Sequence, residues 1–529
     1  MSEESNAMES GEDGAVDHRG EALPVLSKRA AKMNFEELME ISAPKNDGKT
    51  PGSPFFTAFG YLCLRLTNNI QFRSIEFTGQ EHIPDTAGTL CSSWHTNGLI
   101  DPVEIMLSHP KRFVIGGRHD LVLRPIIGWW ARKFAVQPVI RKAELIRGGC
   151  SEEEATFLNG RSLRALADGV SSGFGCALFP EGTSHSESHL IRLRTGPMRT
   201  VIAAAAISEG LGRPRPVILP IGLHYRVRHH WRTDCWVEYS KPLEIPESAT
   251  DDELVKALEA GEWKEPRADA VIGLRDELQV RLAPLTPDAP DWKTHRAWHL
   301  LGHLRANKSG KPLKSWREEV LAAREVREDI ANESESELVT KAKRAAAILD
   351  DNGLDGRDLA IDGKLRKGSL SKGMIHSWPL IPMLLTLPLF LYSCGFQAFM
   401  GRKLGNKTDE GIDARSTYQF LFAMFGSLIV FPILATILVL ITHSISLFTI
   451  PWNEAPFGLS MIGENIFIQI IVEWILIVLL FWLSAIFMVS FCDYAFDINK
   501  ARTRALLRKK KEGEELENLT NELMSLSIN

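Results

Sequence analysis

Two uninterrupted apolar runs near the end of the chain constrain its fold more than any other feature. Tyr418 to Thr442 (YQFLFAMFGSLIVFPILATILVLIT) has no charged residue, and Ile466 to Phe491 has only Glu473. A helix rises about 1.5 Å per residue, so about 20 residues cross a bilayer's hydrocarbon. The runs therefore predict transmembrane helices over 416–443 and 466–491. A carboxylate at mid-bilayer costs about 2.5–3.5 kcal/mol on insertion scales, which so many strongly apolar neighbours offset. Glu473 is either functional, as intramembrane charges often are, or faces a partner helix or an interface. Arg402, Lys403, Lys407 and Arg415 precede the first run, KARTRALLRKKK follows the second, and the loop 444–465 has no lysine or arginine. The positive-inside rule then puts both outer flanks in the cytosol. The preceding apolar segment, 375–400, contains Pro379, Pro382 and Pro388 between basic flanks. It predicts a re-entrant or in-plane element.

The rest of the 529-residue chain has room for a sizeable globular domain. Residues 1–50 are polar and acidic and read as a disordered tail. FFTAFGYLCLRLTNN, within 51–74, is too short for a span and contains Arg65; it reads as an interfacial amphipathic helix or a buried core helix. Between 75 and 248, short β-rich runs (TLCSSW, RFVIGG, FAVQPVI, CALFP, PVILPIGLHY, CWVEY) alternate with helical stretches. That alternation predicts an α/β fold, a mostly buried central sheet flanked by helices. Residues 249–374 read as a charged helical insert, and 493–529 as a cytosolic tail of basic then acidic character. The seven cysteines are scattered without a CxxC pair, which suits a reducing compartment. A net charge of −5 argues against nucleic-acid binding. Arginine-rich stretches over 111–147 and 192–232 fit anionic substrates or an acidic membrane surface.

Three short stretches hold side chains with chemistry. In SSWHTNGLIDP, His95 ends a strand and Asp101-Pro102 opens a helix. This is a base with its orienting carboxylate, or an ordinary turn. In CALFPEGTSHSESHLIRLRTGPM, Phe179, Pro180, Glu181, Gly182 and Thr183 end an apolar run. Gly182 lets backbone amides approach a ligand, Thr183 and Ser184 add hydroxyls, and Arg192, Arg194 and the helix from Gly196 offer donors to a phosphate. In VILPIGLHYR, Pro220 removes a ladder donor and predicts a strand edge or a bulge. His185 and His189 flank Glu187 without an HExxH frame, so no metal site is expected.

In order and content these stretches resemble the glycerolipid acyltransferase family (PlsC-like), which makes lysophosphatidic and phosphatidic acid. His95…Asp101-Pro102 resembles its first motif, PVIRK with Arg141 its second, FPEGTS (Phe179 to Ser184) its third, and LPIG with Pro220 its fourth. The resemblance covers roughly 75–245. Five residues separate the histidine and aspartate where most of the family has four, and Ser184-His185 stands where the third motif usually has arginine. Both departures, with the GLHYRVRHHWRTDCWVEYSKPLEIP continuation, resemble the yeast-type branch that acylates glycerol-3-phosphate or dihydroxyacetone phosphate.

The resemblance implies transfer of an acyl group from acyl-CoA, or from acyl carrier protein, to the sn-1 hydroxyl of glycerol-3-phosphate in phospholipid biosynthesis, with no cofactor. His95 would be the general base and Asp101 its orienter. Arg141, Glu181, Gly182, Thr183, Ser184 and Arg194 would hold the acceptor, Glu181 through the glycerol hydroxyls or an arginine unless it only holds its turn. Asn97, Pro102, Phe179, Pro180 and Pro220 would shape the motifs. The enzyme would be an integral membrane protein among membrane lipids, its catalytic domain on the cytosolic face of the plasma membrane of a prokaryote or the endoplasmic reticulum of a eukaryote. Alternatives are a lysophosphatidic acid acyltransferase and, in a different class, a catalytically inactive membrane scaffold or lipid-binding protein.

Overall fold

A computed structural model describes residues 35–45, 48–140, 151–330, 336–368, 380–407, 414–445 and 465–526. Most of the expected acidic tail, Arg141 and most of the loop between the last two apolar runs lie outside these residues. After a short helix α1 (Phe35–Met39) comes α2 (Pro54–Gln71). The α/β part follows as β1 (Phe72–Thr78), β2 (Thr89–Ser93), α3 (Ile100–Ser108), β3 (Phe113–Arg118), α4 (His119–Val122), α5 (Pro125–Lys133) and β4 (Gln137–Val139). It continues with α6 (Glu152–Ser171), β5 (Gly175–Ala177), α7 (Gly196–Gly210), β6 (Val217–Tyr225), β7 (Thr233–Tyr239) and β8 (Leu243–Glu244).

The strands form one sheet in the order β1-β7-β6-β2-β5-β3-β4, with β8 also on β6. From β6 to β4 neighbouring strands run parallel; β7 is antiparallel to β6, and β1 is parallel to β7. Adjacent side chains on a strand point to opposite faces, and both faces here are covered. Leu90 of β2 joins Val114, Cys176, Ile218 and the faces of α6 and α7 in one apolar cluster. Its neighbour Cys91 joins Leu219, Leu223, Val237 and residues of α2 and α3 in another. The α/β fold expected from the sequence is what the chain adopts.

Pro220 departs from expectation, because β6 is an interior strand. β6 pairs with β8 at Val217 and Ile218, and with β7 only from Ile221 onward. Pro220 falls in the gap between these two partners, and its carbonyl accepts the Ser240 N–H there at 3.0 Å. Carbonyl and N–H of one strand residue point the same way, so the donor that proline lacks would have faced that gap.

The charged stretch after the sheet has two parts. Helices α8 (Asp252–Glu259) and α9 (Ala268–Leu282) bury Leu254, Leu258, Leu274 and Leu278 in the same cluster as α7. Helices α10 (Trp292–Lys308), α11 (Trp316–Ile330) and α12 (Glu337–Asp351) form a separate apolar cluster, completed by Leu507, Leu516 and Leu523 from the C-terminal end.

Three helices among the described residues are long and apolar enough to cross a membrane: α13 (Leu380–Gly405), α14 (Ala414–Ile445) and α15 (Ile466–Leu507). The last continues well beyond its apolar part, and α16 (Lys511–Ser525) follows. α13, where the sequence predicted a re-entrant or in-plane element, is a continuous helix with Pro388 inside it. Pro382 lies in its first turn, where a missing N–H breaks no helical bond. Glu473 faces the partner helix, with Oε2 3.6 Å from His443 Nδ1 of α14.

Both inner ends of the α14–α15 pair dock on the α/β domain. At the start of α14, Thr417 Oγ1 accepts the Leu99 N–H at 3.0 Å. In the C-terminal half of α15, Asp493 pairs with Arg232 (2.6 Å) and Asp497 with Arg73 (2.7 Å). Further along, Lys500 meets Asp355 at 3.2 Å and Arg504 is buried against Asp358. Arg226 joins this network by pairing with Asp234 (2.7 Å) and Glu319 (2.6 Å). The Arg226 and His303 hydrogen bonds hold Glu319 at about 2 against its burial.

Candidate active site

Three adjacent parallel strands, β5, β2 and β6, end at the same edge of the sheet, where such folds place their ligands. His95 lies two residues beyond β2, Glu181 four beyond β5, and Arg228 three beyond β6. The sequence predicted the first two at strand ends and gave no special place to the third.

The His-Asp contact forms despite the extra residue between them. His95 Nδ1 is 2.8 Å from Asp101 Oδ2. The same oxygen accepts the N–H groups of Thr96 and Asn97, each at 2.8 Å. Gly98, at φ +40°, turns the loop, and Leu99 is already helical at φ −70°, ψ −24°. The longer spacer is absorbed without moving the carboxylate away. Asp101 is completely buried, while the His95 side chain keeps 17% of its exposure. A buried carboxylate can only accept, so Nδ1 carries the proton. In a neutral ring Nε2 is then the basic nitrogen. Phe179 lies flat against the imidazole, with ring centroids 4.0 Å apart.

Glu181 is 2% exposed and all its bonds are internal. Oε2 accepts the His95 backbone N–H at 2.6 Å, and Oε1 accepts from His185 Nε2 at 2.8 Å and the Ile191 N–H at 3.1 Å. It ties the end of β2 to the loop after β5, which is the turn-holding role and not the acceptor contact expected by resemblance. His185 Nδ1 accepts the Glu187 N–H at 3.1 Å, so both its ring nitrogens are engaged. His189 is exposed and does not join it as a metal-ligand pair.

The remaining expected residues of the third motif form the turn itself. Gly182 sits at φ +75°, which a side chain rarely adopts, and a Cβ there would lie 3.3 Å from Arg194 Cγ. Arg194 therefore crosses over this turn; its own N–H bonds the Pro180 carbonyl at 2.5 Å. Thr183 and Ser184 are partly exposed beside it. Pro102 is in the first turn of α3. Arg141 is outside the described residues.

Four contributors were not singled out for these roles in the sequence. Arg228 donates to the Thr96 and His185 carbonyls (3.1 and 2.7 Å) and to Ser186 Oγ (2.8 Å). It thereby joins the loops after β2, β5 and β6. Asn97 donates to the Arg228 carbonyl at 2.9 Å and accepts a hydroxyl hydrogen bond from Ser416. Glu104, one turn beyond Asp101, is completely buried; burial pushes its carboxyl up to about 8, although Asn68 donates to it at 3.2 Å. Tyr225 is held well above the ordinary tyrosine range by burial and then by the charge of Asp101. At neutral pH Glu104 is thus mostly protonated.

The arrangement is a basic nitrogen at a partly open strand edge, its tautomer fixed by a buried carboxylate. Such a pair can take a proton from a hydroxyl and stabilise the imidazolium that results. No side-chain nucleophile is within the dyad.

Residues 74–224 match the family model described as Acyltransferase. Over 143 residues the chain is 29% identical to an uncharacterized acyltransferase of Schizosaccharomyces pombe, spanning 27% of this chain and 19% of that protein. It is 24% identical over 152 residues to glycerol-3-phosphate O-acyltransferase 2 of Saccharomyces cerevisiae (28% and 19%). It is 31% identical over 117 residues to glycerol-3-phosphate O-acyltransferase 1 of the same yeast (22% and 14%). The matched stretches thus span less than a fifth of these curated relatives' length. The crystal structure of the 1-acyl-sn-glycerophosphate acyltransferase PlsC from Thermotoga maritima superposes with a TM-score of 0.26 at 15% identity, over 42% of this chain and 81% of that one. That score is too low to carry an argument. Residues 74–224, which contain the histidine–aspartate pair, thus match an acyltransferase family model, and the curated relatives similar to this segment include two glycerol-3-phosphate O-acyltransferases.

Proposed function

We propose that the protein transfers a fatty acyl group from acyl-CoA to the sn-1 hydroxyl of glycerol-3-phosphate, or of dihydroxyacetone phosphate, without a cofactor. The single observation that carries this reading is the His95–Asp101 contact at 2.8 Å, with Nδ1 bound and the ring partly open. The activity for which the two budding-yeast relatives are named supports the choice of acceptor.

In the step proposed, the acceptor hydroxyl attacks the thioester carbonyl while His95 Nε2 takes its proton. Asp101 stabilises the imidazolium as it forms. The tetrahedral intermediate collapses, the carbon–sulfur bond breaks, and the imidazolium returns the proton to the departing thiolate. The substrate's own hydroxyl is the nucleophile, so the enzyme needs none. Arg194, the Gly182–Ser184 turn and Arg141 supply the positive and N–H donors for the acceptor phosphate. The dyad's domain lies on the cytosolic side, held to the membrane by α14 and α15.

The test is acyl transfer by membranes containing the full chain, with labelled palmitoyl-CoA and glycerol-3-phosphate, dihydroxyacetone phosphate or lysophosphatidic acid. Lysophosphatidic acid made from glycerol-3-phosphate supports the reading. Turnover of lysophosphatidic acid alone keeps the mechanism and overturns the acceptor. Silence on all three acceptors contradicts the enzymatic reading in favour of a scaffold.

A further inference from the structure

We propose that the first turn of the membrane helix α14 is a positioning element for the catalytic dyad, acting through Ser416 and Thr417 on the loop between His95 and Asp101. The inference rests on the dyad reading above but concerns residues more than 300 positions away in sequence and outside the matched acyltransferase segment.

The loop has a fixed inner side and an outer side. Inside, the Thr96 and Asn97 N–H groups bond Asp101, and Arg228 bonds the Thr96 carbonyl. Outside, the Leu99 N–H donates to Thr417 Oγ1 at 3.0 Å, and Ser416 Oγ donates to the Asn97 side-chain carbonyl. Ser416 is completely buried, and Asn97 is 1% exposed. A buried loop N–H or amide without its partner costs about 1–3 kcal/mol, so the loop holds this path only while α14 is docked. The docking is itself packed, because Phe420, one turn further along α14, is fully buried in the same apolar cluster as Trp94, Ile100 and Val103. Gly98, at φ +40°, sits between the two contacts. This is the point at which the six-residue step from His95 to Asp101 turns. The bond from Thr417 is therefore made to the part of the loop that accommodates the extra residue. The consequence is that the anchor does more than hold the enzyme at the bilayer: its entry point fixes where Nε2 lies.

The experiment uses the full chain in membranes or detergent, with Ser416→Ala, Thr417→Val, the double variant and the conservative Thr417→Ser. Thr436→Val, on the same helix but away from the domain, is the control. Two readouts are taken. Hydrogen exchange of the peptide spanning 95–101 needs no substrate; the double variant is expected to exchange at least about tenfold faster there, with peptides of β2 and β6 unchanged. Acyl transfer to glycerol-3-phosphate is expected to lose between about tenfold and a hundredfold in kcat with little change in KM, and Thr417→Ser is expected to restore it. Unchanged exchange in the 95–101 peptide overturns the proposal whatever the activity. Faster exchange with wild-type kcat overturns it as well, since the loop then moves without consequence. Faster exchange in a chain whose wild type acylates no acceptor confirms the contact and contradicts the functional reading instead.

Discussion

Replacing Asp101 by asparagine separates the charge of the dyad from its geometry. Oδ2 of Asp101 accepts three N–H groups at 2.8 Å, from His95, Thr96 and Asn97, whereas Oδ1 is buried with no hydrogen-bond partner. An asparagine must therefore turn its carbonyl toward the three donors and its NH2 toward the side on which Oδ1 makes no hydrogen bond. The loop and the Nδ1–H tautomer survive, and only the negative charge is lost. A unit charge pair about 4 Å apart is worth about 4 kcal/mol at an effective dielectric of about 20. Part of that remains in the neutral hydrogen bond, leaving a loss of about 3–4 kcal/mol in the imidazolium-like transition state. At 1.36 kcal/mol per tenfold, Asp101→Asn should lower kcat by about 10²–10³. Asp101→Ala removes the acceptor as well and should cost at least about tenfold more. The assay is steady-state acyl transfer on membranes normalised to the amount of folded protein, with 95–101 hydrogen exchange confirming that the loop of Asp101→Asn is intact. An Asp101→Asn enzyme within about threefold of wild-type kcat would refute the reasoning, because the carboxylate would then not be stabilising a charge on His95.

Three further outcomes follow from charged groups and helix contacts. Glu104 is held at about 8 against an ordinary value of 4.5; a raised carboxyl favours the fold most below 4.5 and loses that advantage as pH rises through about 8. Glu104→Gln mimics the protonated form, so its stability should gain on wild type between pH 6 and pH 9 by an amount on the order of 2–3 kcal/mol, read as a growing difference in melting temperature; a pH-independent difference contradicts this. Glu319 is depressed to about 2 from 4.5, so its contribution is present above pH 4.5 and fades as pH falls toward 2. Glu319→Gln should be destabilising at pH 7 and nearly neutral near pH 2–3, read by thermal denaturation. Finally, α13 runs antiparallel to α14 at its C-terminal end, where Gly405 lies against Arg415 and Gly401 against Gln419. Its middle lies beside the middle of α14, where Tyr392 Oη donates to the Leu434 carbonyl at 3.3 Å, and the helix is continuous over Leu380–Gly405. The two ends of α13 should thus open to opposite sides of the membrane, and single cysteines at 380 and 406 should react with an impermeant maleimide from opposite faces. Labelling from the same face would make α13 re-entrant.

What was legible in the sequence was what depends on near neighbours. The apolar runs of α14 and α15 declare their length and surroundings at once. His95 and Asp101 lie within one strand-to-helix junction, but residue type and spacing alone left an ordinary turn open, and it was the ordered set of companion motifs that pointed to the pair. β2, β3, β6 and β7 could be read because their apolar runs are bounded by turns. β1 (FRSIEFT) could not, since an edge strand with half-exposed alternation carries little apolar signal. α10 falls within the stretch read as helical, but its own bounds did not stand out, because it is buried on several sides and shows no single stripe. Glu181 stood out in its motif, but its bonds to His95, His185 and Ile191 depend on how the loops after β2 and β5 meet. The same holds for Arg228, and more so for Ser416 and Thr417, whose partners Asn97 and Leu99 lie 319 and 318 positions away. Pro220 misled because its tolerance depends on where two other strands stop pairing.

The central claim is that His95, oriented by Asp101, is the base for acylation of a small phosphorylated alcohol. Its most direct test is the rate at which membranes bearing wild-type or His95→Ala protein make labelled lysophosphatidic acid from palmitoyl-CoA and glycerol-3-phosphate. Product that falls by at least about 10² on loss of His95, at equal protein abundance, is the predicted result. Wild-type rates from the His95→Ala protein would contradict the account.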